Sequence, residues 1–572
     1  MALGENQYPF ETGSLRDPSE LMQPERLGAL KQTRLSFARL LIEKMAREQW
    51  RIDLVEVDVD EAGNGRAVYN IKTPSRLFSF AVQSRQSSDE ENTDRIIAES
   101  WDLETFLCEG RATPEFIDSQ FEELPKVRKG RATPKVLIWS RANRSSRFFD
   151  HIVDSLASGH QPDVEFLSQG GYLTRSSGYY GNGLNGTKVF AAMDDDHPLK
   201  RPFMAQMLAV YMLRVFGYDL ADEMAKARSP DAATLSDDIK RYLGTGNSSG
   251  VGIILYMINH PQFVHSWLRA REVALARAKA RDPTDDDIET FTRLVEHTET
   301  WFDEDESDTE RFFHSKDRIA HGLEQALEQV GALYGDSGSD TLWTQLCEWA
   351  ETNLEAETQE VLHALLIDVY PEVCDGLEDS LTTAETSDVK PEMSLAELES
   401  LITSSYQWAL DIEMSQSGAQ HYIWYRSIEN EEPRIGVREE HDYEEYEIDA
   451  AIARQVQQLY ADLQQAPAAD SVAEFLFEHP EHREIVERIQ TVHNLPYAEV
   501  RANPIDEEFV PLTFISCLKA IWGIQKAHPK SIGWVRGTFF QGAPLREELP
   551  DGETSYWAYP SRPDRADYWR DD

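Results

Sequence analysis

Apolar residues follow two different periods in the first part of the chain. Residues 25–50 carry them at helical spacing, which predicts an amphipathic helix. Residues 53–59, 67–71 and 77–82 instead alternate apolar and polar side chains and are separated by turn-forming residues. The pattern predicts a helix that packs on a small antiparallel β meander near the N-terminus, with 135–139 as a candidate further strand.

Helical spacing dominates the middle of the chain, from residue 145 to residue 410. Residues 382–392 are polar and contain Pro391, which is typical of a linker. The last part mixes strand-like and helical patterns. We therefore expect an α+β protein that is predominantly helical, with the small meander, a large helical body and a mixed C-terminal region. The expected units are 1–140 (helix and sheet), 141–381 (helical body), 382–393 (linker) and 394–572 (mixed).

The net charge changes what this fold can be expected to bind. The 572 residues include 56 Lys and Arg against 102 Asp and Glu, a formal charge of −46, and the acids are spread along the chain. Such a surface repels nucleic acid and anionic membranes, and it favours a protein adapted to concentrated salt. With no leader-like N-terminus and no long apolar run, the expected location is the cytoplasm. The four cysteines form no C-x-x-C pair, which argues against a disulfide framework or a zinc knuckle.

Two segments rich in glycine and polar residues are the strongest candidates for ligand binding. Residues 243–252 resemble an anion-binding loop before an apolar helix, because exposed backbone N–H groups and the helix dipole attract carboxylates or phosphates. Residues 175–186 are similar in kind. Helix capping, close packing and ordinary turns explain both segments equally well. The candidate ligand-binding residues are Arg175, Asn182, Asn185, Asn247, Ser248 and Ser249.

Three arginines, Arg141, Arg144 and Arg147, fall between a predicted strand and a predicted helix start. Positive charge at a helix N-terminus opposes the helix dipole, so an anion is expected there. That anion is either a bound ligand or one of the protein's own carboxylates. Arg141 and Arg144 are therefore candidate substrate-binding residues.

The C-terminal region contributes aromatic residues next to charged ones. Residues 421–427 hold Tyr425 and Arg426, and residues 519–536 form a basic and aromatic stretch that is rare in this chain. Small-molecule pockets often have such linings, although an ordinary strand also explains the first segment. Tyr425 and Arg426 are candidate substrate-binding residues.

Histidines placed near acids offer weaker candidates for metal binding. His314 and His321 with Glu310 and Glu324, and Glu478-His479 with His482, have suitable spacing, but chance produces such spacing in an acidic protein. No metal and no cofactor are expected. His260, which follows the second glycine-rich segment, could serve as a general base or simply cap a helix.

A short resemblance to aromatic amino-acid ammonia-lyases is confined to two places. Tyr180-Gly181 and Ser248-Ser249-Gly250 are similar to the tyrosine loop and the self-cyclising Ala-Ser-Gly of that family. Here serine stands in place of the alanine, and the residues after the glycine differ. Neither the cofactor nor membership of the family is inferred.

These observations favour an enzyme that acts on a small anionic, carboxylate-type metabolite. Tyr180 or His260 would transfer the proton, and the lack of nucleotide, metal and flavin motifs suggests a cofactor-independent lyase or hydrolase. One alternative is a non-catalytic helical scaffold or regulatory protein of a halophile. Another is a helical di-metal oxygenase. The first hypothesis predicts that residues 141–147, 175–186, 244–252 and 421–434 converge on one cavity.

Overall fold

The architecture was obtained as a computed structural model, which describes most of the chain. The described residues are 15–86, 101–123, 136–145, 147–177, 190, 192–250, 260–304, 315–337, 341–384, 386–387, 389–413, 422–427, 433–437, 444–448, 452–499, 501, 520–531, 534–552 and 556–564. Within them the fold is α+β and predominantly helical, as expected, with an antiparallel meander near the N-terminus and a large helical body.

The sheet is larger than the meander that the sequence predicts. In the described residues it has nine strands in the order β1-β2-β3-β4-β5-β6-β7-β12-β11. Neighbours are antiparallel except β6 and β7, which run parallel. The strands are β1 (Arg51–Val59), β2 (Gly65–Lys72), β3 (Leu77–Ser84), β4 (Leu103–Glu109), β5 (Ile138–Arg144), β6 (Tyr172–Ser177), β7 (Gly244–Gly250), β8 (Tyr422–Ser427), β9 (Pro433–Val437), β10 (Glu444–Ile448), β11 (Ile524–Ser531) and β12 (Trp534–Phe539), of which β8 to β10 form a separate three-stranded sheet.

Most helices build a body on one face of the large sheet, whereas the helix Pro114–Glu123 (α4) packs on the other face, against Phe106 and Trp139. The long helix Met204–Arg228 (α7) is buried over nearly its whole length and packs against β5, β6 and β7. It belongs to the crossover that brings β7 parallel to β6. The helices of this part are α1 (Pro18–Leu21), α2 (Pro24–Ala29), α3 (Phe37–Arg47), α4 (Pro114–Glu123), α5 (Phe148–Ala157), α6 (Val164–Ser168), α7 (Met204–Arg228), α8 (Asp237–Tyr242), α9 (Pro261–Lys279), α10 (Asp285–Glu304), α11 (Lys316–Ser337), α12 (Leu342–Asn353) and α13 (Ala356–Val369). The helix predicted over 25–50 is thus two helices, α2 and α3, separated by an irregular segment.

Apolar residues between 393 and 498 form a core of their own, which includes Leu398, Ile402, Leu459 and Ile489. Two of its helices, Leu395–Ser405 (α14) and Val472–Glu478 (α17), begin with a capping box, in which the N-cap serine and the glutamate three residues later bond to each other's backbone. Its helices are α14 (Leu395–Ser405), α15 (Gln407–Leu410), α16 (Ile452–Leu463), α17 (Val472–Glu478) and α18 (Arg483–Val492).

The chain returns to the first core after this second core. Residues Trp522, Phe539 and Trp557 pack with the helical body, and β11 and β12 complete the nine-stranded sheet. The last part of the chain therefore contributes to both cores. The domain limits drawn from the sequence stay a prediction.

Candidate anion-binding site

The two glycine-rich segments begin at the same edge of the large sheet. Strands β6 and β7 are parallel neighbours in which Ser177 lies opposite Ser248, so the chain leaves both strands at one edge. In sheets with parallel strands, ligands commonly bind just beyond the carboxyl ends of neighbouring strands. Residues 178–189 and 251–259, which follow the two strands, lie outside the described residues.

Arg175 and Arg141 lie on one face of the sheet beside this edge. Arg175 of β6 is opposite Asn143 of β5 and Gly246 of β7. Arg141 lies two residues before Asn143, and side chains two apart in a strand point to the same face. Arg141 is also opposite Glu104 of β4, so one of the protein's own carboxylates borders the arginines on this side.

A third arginine, Arg536 of β12, lies on the far side of the two parallel strands. It is opposite Ser248, and Thr538, two residues on, is opposite Gly246, which places Arg536 on the same face as Arg175. Its guanidinium donates a 2.8 Å hydrogen bond to the hydroxyl of Tyr172 and lies 5.8 Å from the centre of that ring. Arg536 is only 7% exposed. Three strands, β5, β6 and β12, thus each place one arginine on one face of a strongly acidic protein.

The glycine at position 246 permits this crowding. A Cβ atom at Gly246 would lie 3.0 Å from the ring of Tyr172 and 3.3 Å from Cγ of Arg175. Both distances are shorter than an ordinary carbon–carbon contact of about 3.5–4.0 Å. Glycine therefore lets Tyr172 and Arg175 lie close together over β7.

The interpretation of residues 244–250 as a loop is wrong. They form β7, a strand inside the sheet, hydrogen-bonded to β6 on one side and β12 on the other. Asn247 is fully buried, and its amide nitrogen donates to the carbonyl and hydroxyl oxygens of Ser176, at 3.1 and 3.0 Å. Ser248 and Ser249 also belong to this strand. The backbone N–H groups of this segment thus take part in the hydrogen bonding of the sheet.

The helix-dipole argument for the arginines is also wrong for Arg141 and Arg144. Both belong to β5, and α5 begins only at Phe148. Arg144 lies on the sheet face opposite Arg141, where its guanidinium donates to the carbonyl oxygens of Ala62 and Arg85, each at 2.9 Å. Burial lowers the pKa of Arg144 from its usual value. Arg144 therefore fastens the β1–β2 turn and the end of β3 to β5.

The other predicted site residues lie elsewhere or outside the described residues. Tyr180, Asn182 and Asn185 are outside them. His260 is the N-cap residue of α9. Tyr425 and Arg426 are in β8 of the three-stranded sheet, which shares no strand with the large one in the described part of the chain.

Groups that could ligate a metal also lie in the described part of the chain. His321 and Glu324 approach to 3.2 Å on the exposed side of α11, while Glu310 and His314 lie outside the described residues. A more compact group, Asp462, His479, Glu481 and His482, lies in the second core. The sequence pattern had pointed to Glu478 in place of Glu481.

Sequence reasoning missed Tyr172 and Asn143 near the arginines. Asn143 accepts the backbone N–H of Asp102 at 3.0 Å, and Tyr172 meets Arg536 across 364 residues. Neither residue stands in a recognisable motif. Only the order of the strands brings them to this face.

Comparisons with protein-family models, with curated proteins and with solved structures found no match. Among the described helices, none combines the length and the apolar character that crossing a bilayer requires.

Proposed function

We propose that the protein is an enzyme that binds a small carboxylate metabolite at the edge where β6 and β7 end. The supporting observation is the placement of Arg141, Arg175 and Arg536 on one sheet face beside that edge. A guanidinium presents paired N–H donors that match the two oxygens of a carboxylate.

The electrostatics of the whole chain strengthen this proposal. A protein of charge −46 repels an anion at most points of its surface, so a negative substrate needs a local concentration of positive charge. The half-buried Arg175 and the buried Arg536 act where water is partly excluded, which strengthens their attraction for an anion. Glu104, opposite Arg141, offsets part of this charge and favours a singly or doubly charged ligand over a large polyanion.

The proposal assigns the rest of the site to residues that follow the two strands in the sequence. Asn182, Asn185 and Tyr180 follow β6 within eight residues of Ser177. We assign proton transfer to Tyr180, because positive charge next to a tyrosine would stabilise its phenolate. His260 remains the second proton-transfer candidate. Arg144 has no part in this proposal, since its donors serve backbone carbonyls on the opposite face.

Ligand titration of the full chain tests the proposal. Malonate, succinate, malate and citrate, with inorganic phosphate for comparison, are titrated at constant molar KCl while the melting temperature and heat of binding are measured. At least one carboxylate should stabilise the protein, and Arg175→Gln should weaken its binding about tenfold or more, the expected loss of a charge-assisted contact. Arg318→Gln, at a side chain that is 60% exposed on α11, is the matched control and should bind like the wild type. The proposal is contradicted if none of the carboxylates stabilises the protein, or if Arg175→Gln binds with the same affinity as the wild type.

A further inference from the structure

Four side chains that can ligate a metal converge at one corner of the second core. Nε2 of His482 and Oδ2 of Asp462 are 2.8 Å apart, and Nδ1 of His479 and Oε1 of Glu481 are 3.3 Å apart. One such atom from each of the four residues lies within 4.8 Å of all the others. Two imidazoles and two carboxylates thus face a common point.

The local backbone explains this convergence. His479 is the C-cap residue of α17, and Glu481 and His482 belong to the single 3₁₀ turn Pro480–His482 that leads into α18. A tight turn brings side chains two and three residues apart to one side. Asp462 comes from the last turn of α16, so the fourth ligand crosses from a different helix.

The two imidazole rings are held in place before any ion arrives. His479 stacks on Phe475 with ring centres 4.7 Å apart, and His482 is nearly parallel to the same ring at 5.9 Å. His482 is only 6% exposed. Rings fixed by packing lose little conformational freedom on binding, which favours affinity.

The opposite side of the group is open to solvent. The side chains of His479 and Asp462 are each 35% exposed, and that of Glu481 is 61% exposed. An ion can therefore reach the group without unfolding the second core. The acidic surface concentrates cations around the whole molecule and so supplies the site.

We propose that Asp462, His479, Glu481 and His482 bind one zinc ion or a similar divalent transition-metal ion. Imidazole nitrogens favour zinc over calcium and magnesium, which prefer sites built of oxygen alone. In a tetrahedral zinc site with bonds of about 2.0–2.1 Å, neighbouring ligand atoms are about 3.3 Å apart. The separations of 2.8 and 3.3 Å are already close to that. The other separations reach up to 4.8 Å, and rotation of the Asp462 and Glu481 side chains would shorten them.

Ion binding would replace the hydrogen bond between His482 and Asp462. Each histidine would contribute a neutral ring nitrogen to the ion. The bound ion would join the end of α16 to the turn between α17 and α18. It should therefore raise the melting temperature of the second core.

Cobalt titration of the metal-free full-length protein tests this site. Tetrahedral Co²⁺ with imidazole ligands absorbs in the visible, whereas Co²⁺ held loosely by surface carboxylates keeps the weak spectrum of the hydrated ion. We expect one Co²⁺ per chain with the tetrahedral spectrum, displaced by Zn²⁺ and retained in excess Mg²⁺. Absence of this spectrum in the wild type overturns the proposal.

Two double variants assign the spectrum to these residues. His479→Gln with Glu481→Gln should weaken Co²⁺ binding at least about tenfold. Both side chains are partly exposed, so the metal-free melting temperature should stay near that of the wild type. His321→Gln with Glu324→Gln removes a matched histidine–glutamate pair from α11 and should leave the spectrum unchanged. An unchanged spectrum in the first variant, or its loss in the second, contradicts the assignment; Glu481→Gln alone serves as the second test if the first variant folds poorly.

Discussion

The guanidinium of Arg214 donates a 2.9 Å hydrogen bond to the carbonyl oxygen of Pro544, 330 residues away in the sequence. The same side chain also donates to the carbonyl oxygens of Leu243 and Ala543, at 2.8 and 2.7 Å, and it is fully buried. Arg214 lies in the middle of α7. One arginine thus fastens the central helix to the start of β7 and to the chain after β12, next to the elements that carry the proposed site.

Replacing Arg214 should destabilise the protein strongly. Arg214→Met fills similar space but leaves several buried carbonyl oxygens without donors, so the free energy of unfolding should fall by at least about 3 kcal/mol. Urea denaturation measures this without adding salt. The control Arg228→Met, at the exposed end of the same helix where Arg228 pairs with Asp154, should change stability by less than about 1 kcal/mol. Equal effects of the two substitutions would contradict this assignment.

A buried network of charges joins the N-terminal segment to α9 and α13. Arg16 pairs with Glu272 at 2.7 Å and with Glu360, and Arg271 pairs with the same two acids at 2.9 and 2.7 Å. Burial disfavours the charged form of Glu360, but the two arginines prevail and hold its pKa well below its usual range. Glu360 is therefore ionised in the folded protein.

Neutralising Glu360 should cost stability at neutral pH. Glu360→Gln leaves Arg16 and Arg271 with one buried carboxylate between them, which should lower the free energy of unfolding by about 3–5 kcal/mol at pH 7. Because the pKa of Glu360 is lowered by folding, its ionised form stabilises the fold at pH values above the unfolded-state pKa of about 4.3. This contribution is lost as the pH falls further, so the stability difference between Glu360→Gln and the wild type should shrink in acid. Glu355→Gln, whose partner Arg318 is exposed, is the control and should be nearly neutral. A constant deficit from pH 7 to pH 3 would contradict this account.

His265 should make stability sensitive to mild acid. Burial, assisted by the charge of Arg269, lowers its pKa to about 4, and its Nδ1 accepts the backbone N–H of Tyr497 at 3.2 Å. A histidine kept neutral stabilises the fold above its unfolded pKa of about 6.5 and loses that contribution as the pH falls. Between pH 7 and pH 5, wild-type stability should fall by about 1–2 kcal/mol more than that of His265→Gln. His321→Gln, at an exposed position, should follow the wild type, and parallel curves for all three proteins would refute the role of His265.

Replacing each of two glycines by alanine should change the stability of the protein in opposite directions. A Cβ atom at Gly244 would lie 2.3 Å from the carbonyl oxygen of Phe539, so Gly244→Ala should push β7 away from β12 and cost about 1–3 kcal/mol. Gly331, inside α11, has no atom within 4 Å of the added Cβ. Gly331→Ala should therefore stabilise the helix by about 0.5–1 kcal/mol. Melting temperatures of the two variants test this, and a stabilised Gly244→Ala would show that β7 tolerates a side chain there.

The acidic surface should make the fold depend on salt. Salt weakens exposed ion pairs but also screens repulsion between carboxylates, and the excess of 102 acidic over 56 basic residues makes the second effect larger. We propose a salt-adapted protein whose melting temperature is higher in molar KCl than in dilute buffer. Equal melting temperatures in the two buffers would contradict this.

The spacing of apolar residues predicted the elements that bury many apolar side chains of their own. The helix α3 buries Phe37, Leu41 and Met45 and leaves Arg47 exposed, which is visible as helical spacing. The strand β2 buries residues 67–71 in one run, so its apolar content marks it as a strand. The sequence of β7, by contrast, has no apolar residue and is rich in glycine, a poor strand former. Its strand conformation depends on hydrogen bonds to β6 and β12, which come from distant parts of the chain.

The amino-acid sequence alone determined the helical character, the N-terminal meander and the strong negative charge, because these follow from local side-chain patterns and composition. Tertiary structure decided that β6 and β7 are parallel neighbours, that Arg175 and Arg536 share a face, and that Asp462 meets His482. Such pairings depend on strand order and helix packing between residues far apart in the chain. No local pattern records them, since the free energy that selects them arises only when the whole core assembles.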